Sequence, residues 1–341
     1  MRSLLALQKQ LAPDLIEVLK KRHTILRHVL VSRLIGRRTL AANLGMTERV
    51  LRAEVEFLKE QGLLEMESTG MRVTEAGQEL LDALEPMVKE WFNLSDLEER
   101  IRERFKLDQV IIVPGDSDTS LFTKKELGRA GAAMLRKYAA KDEVIAVTGG
   151  STMAEIADTL TTSAQLKGNL FVPARGGLGE SVELQANTIA STMAKKTDGH
   201  YRLLHVPDHL ADEAHQSLIQ DPNILEIVNV IRQARIVVHG IGEAMVMARR
   251  RKVEQHTIAS LLAEGALAEA LGYYFDQSGK VVHKMPTLGL RLEDLEHTEV
   301  VIAVAGGKSK GQSITAVLRH GHEDILVTDE AAAHEIIQHM S

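Results

Sequence analysis

Val144-Ile145-Ala146-Val147-Thr148-Gly149-Gly150-Ser151-Thr152 decides how most of the chain folds. Four consecutive aliphatic residues suit a strand buried on both faces, as in a parallel sheet. The glycine pair allows a tight turn, and a helical pattern follows over 152–160. The same unit recurs on either side. Val110-Ile111-Ile112-Val113 precedes a helix over 123–138, and Leu170-Phe171-Val172 precedes one over 183–196. Leu203-Leu204-His205-Val206, Ile236-Val237-Val238, Val300-Val301-Ile302-Ala303-Val304 and Ile325-Leu326-Val327 read as further strands, seven in all. Strands alternating with helices predict a doubly wound, mostly parallel α/β domain. Tyr273-Tyr274-Phe275 and Lys280-Val281-Val282 flank Gln277-Ser278-Gly279 and read as an inserted hairpin.

Four strands run into glycines: Thr148-Gly149-Gly150-Ser151-Thr152, Arg175-Gly176-Gly177-Leu178-Gly179, Gly240-Ile241-Gly242-Glu243 and Gly306-Gly307-Lys308-Ser309-Lys310. In an open parallel sheet, ligands bind beyond the carboxyl ends of the strands. Glycine turns let backbone N–H groups approach an anion, and the helix that follows adds the positive end of its dipole. Ser151 and Thr152 add hydroxyl donors, and Arg175 and Lys310 add positive charge. A phosphate or phosphorylated sugar is the expected ligand. The loops fit no nucleotide cofactor. A P-loop ending at Gly307-Lys308-Ser309 needs Gly where Ile302 stands, and a dinucleotide fingerprint from Gly240 needs Gly or Ala where Met245 stands. Gln185 and Asn187 are candidate lining residues, and one of Arg249-Arg250-Arg251 is placed to reach a second phosphate. Glu269 reads equally well as an acceptor for sugar hydroxyls or as part of an exposed helix face. The histidines have no metal-ligand spacing, so no metal is expected.

The N-terminal region differs in charge. Residues 1–59 carry 12 Lys and Arg against 5 Asp and Glu, a net of +7, which leaves −13 on the remainder of a chain whose net is −6. Leu15, Val18, Leu19, Ile25, Leu26 and Val29 form one helical stripe within 14–31. A short helix from Arg37 stops before Gly45. Thr47 caps a second helix over 48–61, with Leu51, Val55 and Leu58 on its inner face. Leu63–Glu67 and Met71–Thr74 then flank a Gly70 turn. Helix, turn, helix and hairpin predict a winged helix-turn-helix that binds double-stranded DNA. Arg49 and Arg52, on the outer face after Thr47, suit base edges in the major groove. Arg37, Arg38, Lys59 and Arg72 suit phosphates. One such head reads a short site, so a homo-oligomer, dimer or tetramer, is expected. Pro86 is expected to start or break a helix in 77–105, and Ser95-Asp96-Leu97-Glu98 reads as a capping box. The domain boundary is placed near 90: residues 1–90 for DNA, 91–341 for ligand and oligomerisation.

Composition narrows the rest. Aromatic residues make up 3%, too few for a reader of single-stranded nucleic acid. The absence of cysteine removes disulfides, thiol catalysis and Cys-zinc sites, and fits a cytoplasmic location. The apolar stretch Leu4 to Leu7 is too short for a signal sequence, and no run is long enough to span a membrane.

Several runs resemble the SorC family of sugar-responsive bacterial repressors. They are Ile35-Gly36-Arg37-Arg38, Glu48-Arg49-Val50-Leu51-Arg52, Phe57-Leu58-Lys59-Glu60-Gln61, Val147-Thr148-Gly149-Gly150, Phe171-Val172-Pro173-Ala174-Arg175-Gly176-Gly177-Leu178-Gly179-Glu180, Gly272-Tyr273-Tyr274-Phe275 and Ala303-Val304-Ala305-Gly306-Gly307. The resemblance spans the chain. It implies a body resembling sugar-phosphate isomerases that has lost catalysis and kept the pocket. It implies a repressor of a glycolytic operon, with fructose-1,6-bisphosphate as inducer. Ser151, Thr152 and Lys310 would then hold one phosphate, Arg175, Arg250 and Gln185 the other, and Glu269 a sugar hydroxyl. An active isomerase with Glu269 as base leaves the basic head without a purpose, and no acid–base pair completes it. A DNA-binding protein with a vestigial pocket is the third reading.

Overall fold

A computed structural model of the chain describes residues 11–32, 34–177, 181–208 and 212–340. The Leu4–Leu7 stretch, and Leu178, Gly179 and Glu180 of the second glycine loop, lie outside them. The chain divides into units 1–96 and 97–341.

In the first unit, α1 (Pro13–Ser32) buries Ile25, Leu26 and Val29 as its stripe predicts, but Leu15 is 50% exposed. Next come α2 (Arg37–Asn43) and, after Gly45 at φ +61°, α3 (Glu48–Glu60). Thr47 Oγ1 accepts the Val50 N–H at 3.4 Å and fixes where α3 begins. Leu51, Val55 and Leu58 join Leu40, Ile25 and Met71 in one core. Strands β1 (Leu64–Glu67) and β2 (Gly70–Val73) form the antiparallel wing, pairing Leu64 with Val73 and Glu67 with Gly70. An Ile35–Met71 bridge ties the wing to the entry of α2.

Two expectations fail after the wing. Helix α4 (Glu75–Trp91) runs straight through Pro86. A proline costs a helix one hydrogen bond. Here Leu81, Leu84, Val88 and Trp91 continue one inward face on both sides of it, and that packing outweighs the lost bond. Helix α5 (Leu94–Phe105) opens at Leu94, so Ser95 lies inside the first turn instead of capping it. Leu94, Leu97 and Ile101 are its buried face.

The second unit is built on strands β3 (Gln109–Val113), β4 (Val144–Val147), β5 (Leu170–Pro173), β6 (His200–Tyr201), β7 (Ile236–His239), β12 (Val300–Val304) and β13 (Ile325–Asp329). Among the described residues these form a parallel sheet in the order β3-β13-β12-β7-β4-β5-β6. Its aliphatic faces pack against helices such as α6 (Leu121–Tyr138) and α7 (Ser151–Thr159), with Ile145, Val238, Ile302, Leu127 and Ile156 fully buried. The strand expected at 203–206 is absent; the edge strand is His200–Tyr201. Asn187 explains this. Its side chain donates to the Leu204 carbonyl at 3.0 Å and accepts the Leu204 N–H at 3.1 Å, taking the groups a ladder would use. The expected hairpin belongs to a larger antiparallel sheet. Strands β8 (Gly242–Glu243), β9 (Ala268–Ala270), β10 (Tyr273–Phe275) and β11 (Val281–Lys284) are ordered β11-β10-β9-β8.

This order places the site. From β4 the chain steps outward through β5 to β6, then returns to lay β7 on the other side of β4 before β12 and β13. The order reverses between β4 and β7, and a crevice opens beyond their carboxyl ends.

Candidate functional site

The loops leaving β4 and β7 wall a cavity of about 160 Å³, room for on the order of ten waters. Gly149–Met153 line one side, Gly240–Glu243 another, and Gln185, Arg250, Glu269 and Lys310 reach in from other elements. Gly149 has no space for a side chain, since a Cβ would stand 2.7 Å from the Leu184 carbonyl oxygen. Gly150 sits at φ +121° and supplies the turn into α7. The first N–H groups of α7, at Ser151 and Thr152, make no hydrogen bond among the described residues. The Lys310 ammonium comes from the turn after β12, the neighbour of β7, also without an ion pair among those residues. Burial pulls its pKa down and Lys124 adds to that, while Asp118, Glu243 and Asp329 hold it up. Amides, a dipole end and an unpaired ammonium make this end of the cavity receptive to a phosphate.

The opposite wall is a closed ring of four buried charges. Arg175 Nη2 lies 2.8 Å from Asp208 Oδ1, and Arg175 Nη1 donates to Glu269 Oε1 at 3.0 Å. Arg251 Nε lies 3.0 Å from Asp208 Oδ2, and its Nη1 lies 2.9 Å from Glu269 Oε1. The Gly272 N–H adds a third donor to Glu269 Oε1 at 2.6 Å. Arg175 and Glu269 are 5% and 4% exposed, so these are interior charges. Burial pushes the Glu269 carboxyl pKa up, but Arg251 and Arg175 together hold it below the usual carboxylate range. The contacts are close but poorly aligned. Arg175 Nη2, Arg251 Nε and Nη1 and Asp208 Oδ2 have no hydrogen bond of good geometry. Gly272, at φ +88°, leaves the space the Arg175 guanidinium fills, since a Cβ there would meet it at 2.7 Å.

The cavity gathers most of the residues singled out from sequence: Gly149, Gly150, Ser151, Thr152, Arg175, Gln185, Arg250, Glu269 and Lys310. Gly177 is not on its lining; it backs the Gln185 amide, 2.9 Å from where its own Cβ would stand. Asn187 is drawn away to Leu204. Glu269 lies on a strand, not on an exposed helix face, and its Oε1 is occupied by two guanidiniums and an amide. The glycine loop after β12 does not keep its amides open. The Gly307 N–H donates to Asp329 Oδ2 at 2.6 Å, the Ser309 N–H to Asp118 Oδ2 at 2.8 Å, and the Lys308 N–H to Asp116 Oδ1 at 3.3 Å. Lys310 alone carries that loop into the cavity. Sequence reading missed Asp208 and, within the run Arg249-Arg250-Arg251, singled out Arg250 and passed over Arg251. Arg251 had a signal: it lies three residues beyond Ala248 and seven beyond Ala244, both buried on the inner face of the helix Ala244–Arg250.

On the first unit, Thr47, Arg49, Arg52 and Lys59 are exposed along α3. Arg49 and Lys59 make no ion pair among the described residues, whereas Arg52 Nε donates to Glu56 Oε1 at 2.9 Å. Arg38 lies 3.7 Å from Glu48, and Arg72 on the wing is held by Glu65 and Glu67. Arg37, at the start of α2, is half-buried.

Known proteins match both units. The profile of the CggR N-terminal DNA binding domain covers residues 18–88, and a sugar-binding domain family covers 89–338. The chain is 48% identical to the central glycolytic genes regulator of Priestia megaterium and 46% identical to that of Bacillus subtilis, each over 99% of both chains. A solved SorC-family transcriptional regulator from Enterococcus faecalis is 42% identical, with a TM-score of 0.67 over 71% of this chain and 99% of that one. The chain belongs to the SorC family of transcriptional regulators. The full-length sorbitol operon regulator SorC from Klebsiella pneumoniae shares the SorC fold over 90% of this chain, at 17% identity and a TM-score of 0.67. The close SorC-family relatives are named as regulators, not enzymes. Among the described residues no helix is long and apolar enough to cross a membrane.

Proposed function

We propose that this SorC-family protein represses a glycolytic operon by binding its operator as a homo-oligomer, dimer or tetramer, and that a phosphorylated sugar, fructose-1,6-bisphosphate, releases it. The observation that carries the reading is the cavity at the strand-order reversal. The open Ser151 and Thr152 amides and Lys310 share its lining with further cationic side chains, Arg250 among them. The Ser151 and Thr152 amides and hydroxyls with Lys310 take the first phosphate. Arg250 with Gln185 takes the second, and the poorly aligned donors of Arg175 and Arg251 turn towards its oxygens. Two close relatives carry the glycolytic name, which supports this choice of target genes.

Thr47, Arg49 and Arg52 meet base edges, while Arg37, Arg38, Lys59 and Arg72 meet phosphates. Coupling is a population shift: the ligand favours the arrangement that binds operator less well, by about 1–3 kcal/mol. Fluorescence anisotropy with operator DNA at fixed salt, titrated with fructose-1,6-bisphosphate, fructose-6-phosphate and glucose-6-phosphate, tests it. Release by the bisphosphate at lower concentration than by either monophosphate is the expected result. Operator binding indifferent to all three rejects the effector.

A further inference from the structure

We propose that His239 and Glu323 are positioning residues behind the cavity: Glu323, as a neutral acid, donates to His239, which thereby holds the Gly240 carbonyl, and effector binding weakens when that proton is lost in mildly alkaline solution. The effect on binding rests on the reading of the cavity as a phosphosugar site; the state of the pair does not. His239 ends β7, and the Gly240–Glu243 loop after it lines the cavity. The imidazole is fully buried and is not on that lining itself. Its Nδ1 lies 3.2 Å from the Gly240 carbonyl oxygen. A carbonyl only accepts, so Nδ1 carries the proton and Nε2 keeps a lone pair. Gly240 is then held at both ends, since its N–H donates to Thr148 Oγ1 at 3.1 Å. Glu323 reaches His239 from the turn between the helix Gly311–His320 and β13. Gly321 at φ +89° opens that turn, and Asp324 Oδ2 pins it by accepting the Val301 N–H at 2.7 Å. The Glu323 side chain is 5% exposed, and its Oε1 lies 3.6 Å from His239 Nε2, longer than a hydrogen bond. Neither His239 Nε2 nor Glu323 Oε2 has a hydrogen-bond partner among the described residues. Two polar groups left facing each other in the interior are satisfied when one proton lies between them.

Burial decides which group carries that proton. It pushes the His239 imidazole down to about 4 and the Glu323 carboxyl up to about 8. At neutral pH both are therefore uncharged, with Glu323 the donor and His239 the acceptor. Glu269 on β9 and Asp324 beside Glu323 are the charges that reach the pair, and both favour keeping the proton. The amides of His322 and Glu323 act against them by stabilising the carboxylate. Above about pH 8 Glu323 releases its proton to solvent. Its carboxylate then faces the Nε2 lone pair, which repels it. The imidazole relieves this by moving its one proton from Nδ1 to Nε2, and the Gly240 carbonyl loses its donor.

Titration calorimetry of the full chain with fructose-1,6-bisphosphate, from about pH 7 to about pH 9, tests this. The wild type should lose roughly 3- to 10-fold in affinity through the Gly240 hydrogen bond, beyond the share lost through Lys310. Glu323→Gln sets an amide N–H against Nε2 and cannot ionise. Whatever its affinity at neutral pH, it should decline only by the Lys310 share, which both chains have in common. Equal declines in the two chains overturn the assignment. Nitrogen NMR of the wild-type imidazole checks the same step without a variant: the protonated nitrogen of His239 should change from Nδ1 to Nε2 near pH 8. A ring that keeps its proton on Nδ1 throughout overturns the proposal even where affinity falls. A wild type that binds no bisphosphate at neutral pH overturns the cavity reading instead, and the ring nitrogens then decide the pair.

Discussion

Two loops of this protein look alike in sequence and behave as opposites. Gly149-Gly150-Ser151-Thr152 and Gly306-Gly307-Lys308-Ser309 each follow a buried strand, and each puts its second glycine at positive φ, +121° and +102°. Each then enters a helical turn. After β4 the Gly150 N–H donates to the Leu184 carbonyl at 2.8 Å, while the Ser151 and Thr152 amides stay open to the cavity. After β12 the amides are filled by Asp116, Asp118 and Asp329, which the sheet order brings alongside from the ends of β3 and β13. A glycine loop is thus an anion site only where the fold supplies no anion of its own. Charges already paired inside the protein hold it together; charges left unpaired are available for ligands.

The largest test of that division is in the ring of paired charges. Asp208→Ala leaves Arg175 and Arg251 sharing one carboxylate in the interior. Removing one partner of a buried ion pair costs about 3–5 kcal/mol, read as a lower midpoint in urea unfolding. A loss below about 1 kcal/mol would mean that the ring behaves as a solvent-screened pair. Lys310→Met does the reverse at the unpaired end. It should leave stability unchanged or raised, because a half-buried ammonium without a partner is replaced by an apolar side chain of similar length. Affinity for fructose-1,6-bisphosphate should fall about 10- to 100-fold. Because burial lowers the Lys310 pKa, wild-type affinity is full below that pKa and declines as pH rises through it, at a lower pH than for an exposed lysine. The variant should lack that decline. Titration calorimetry across alkaline pH separates the two.

The same division sorts the recognition helix. Arg49 has no ion pair among the described residues, while Arg52 is engaged with Glu56. Arg49→Ala should cost about 1–3 kcal/mol of operator affinity and relax sequence preference. Arg52→Ala should cost less, since Arg52 must leave Glu56 to reach a base. Anisotropy against operator and scrambled duplexes ranks them, and a reversed ranking would show that Glu56 orients Arg52 for the groove.

Local signals were legible in the sequence. The aliphatic runs gave six of the seven sheet strands, because burial on both faces leaves little room for polar residues. Thr47, Gly45 and the Leu51–Val55–Leu58 face placed the helix-turn-helix. What stayed hidden was partnership over distance. Asn187 suppresses a strand at Leu204, Leu81 and Trp91 carry a helix past Pro86, and Asp208 joins Arg175 and Arg251. The contacts of Asn187 and Asp208 have no periodicity, since each depends on which elements the fold makes neighbours, and the helical spacing of Leu81, Leu84, Val88 and Trp91 does not by itself announce that it outweighs a proline.

The smallest expected effect returns to the two loops. Asp118→Asn retains an oxygen for the Ser309 amide but removes the charge. The exposed turn it caps should lose about 0.5–1 kcal/mol. Asp118 also lies close enough to Lys310 to support its protonation, so removing it leaves the nearby cavity more positive. Affinity for fructose-1,6-bisphosphate should then rise, by about 2-fold, because no direct ligand contact is changed. The gain should shrink as salt rises from 0.05 to 0.5 M on the order of a Debye length's contraction. A salt-independent gain would instead mean that the Ser309 amide, the one Asp118 holds, had itself begun to bind phosphate, and that part of the distinction between the two loops would rest on one carboxylate.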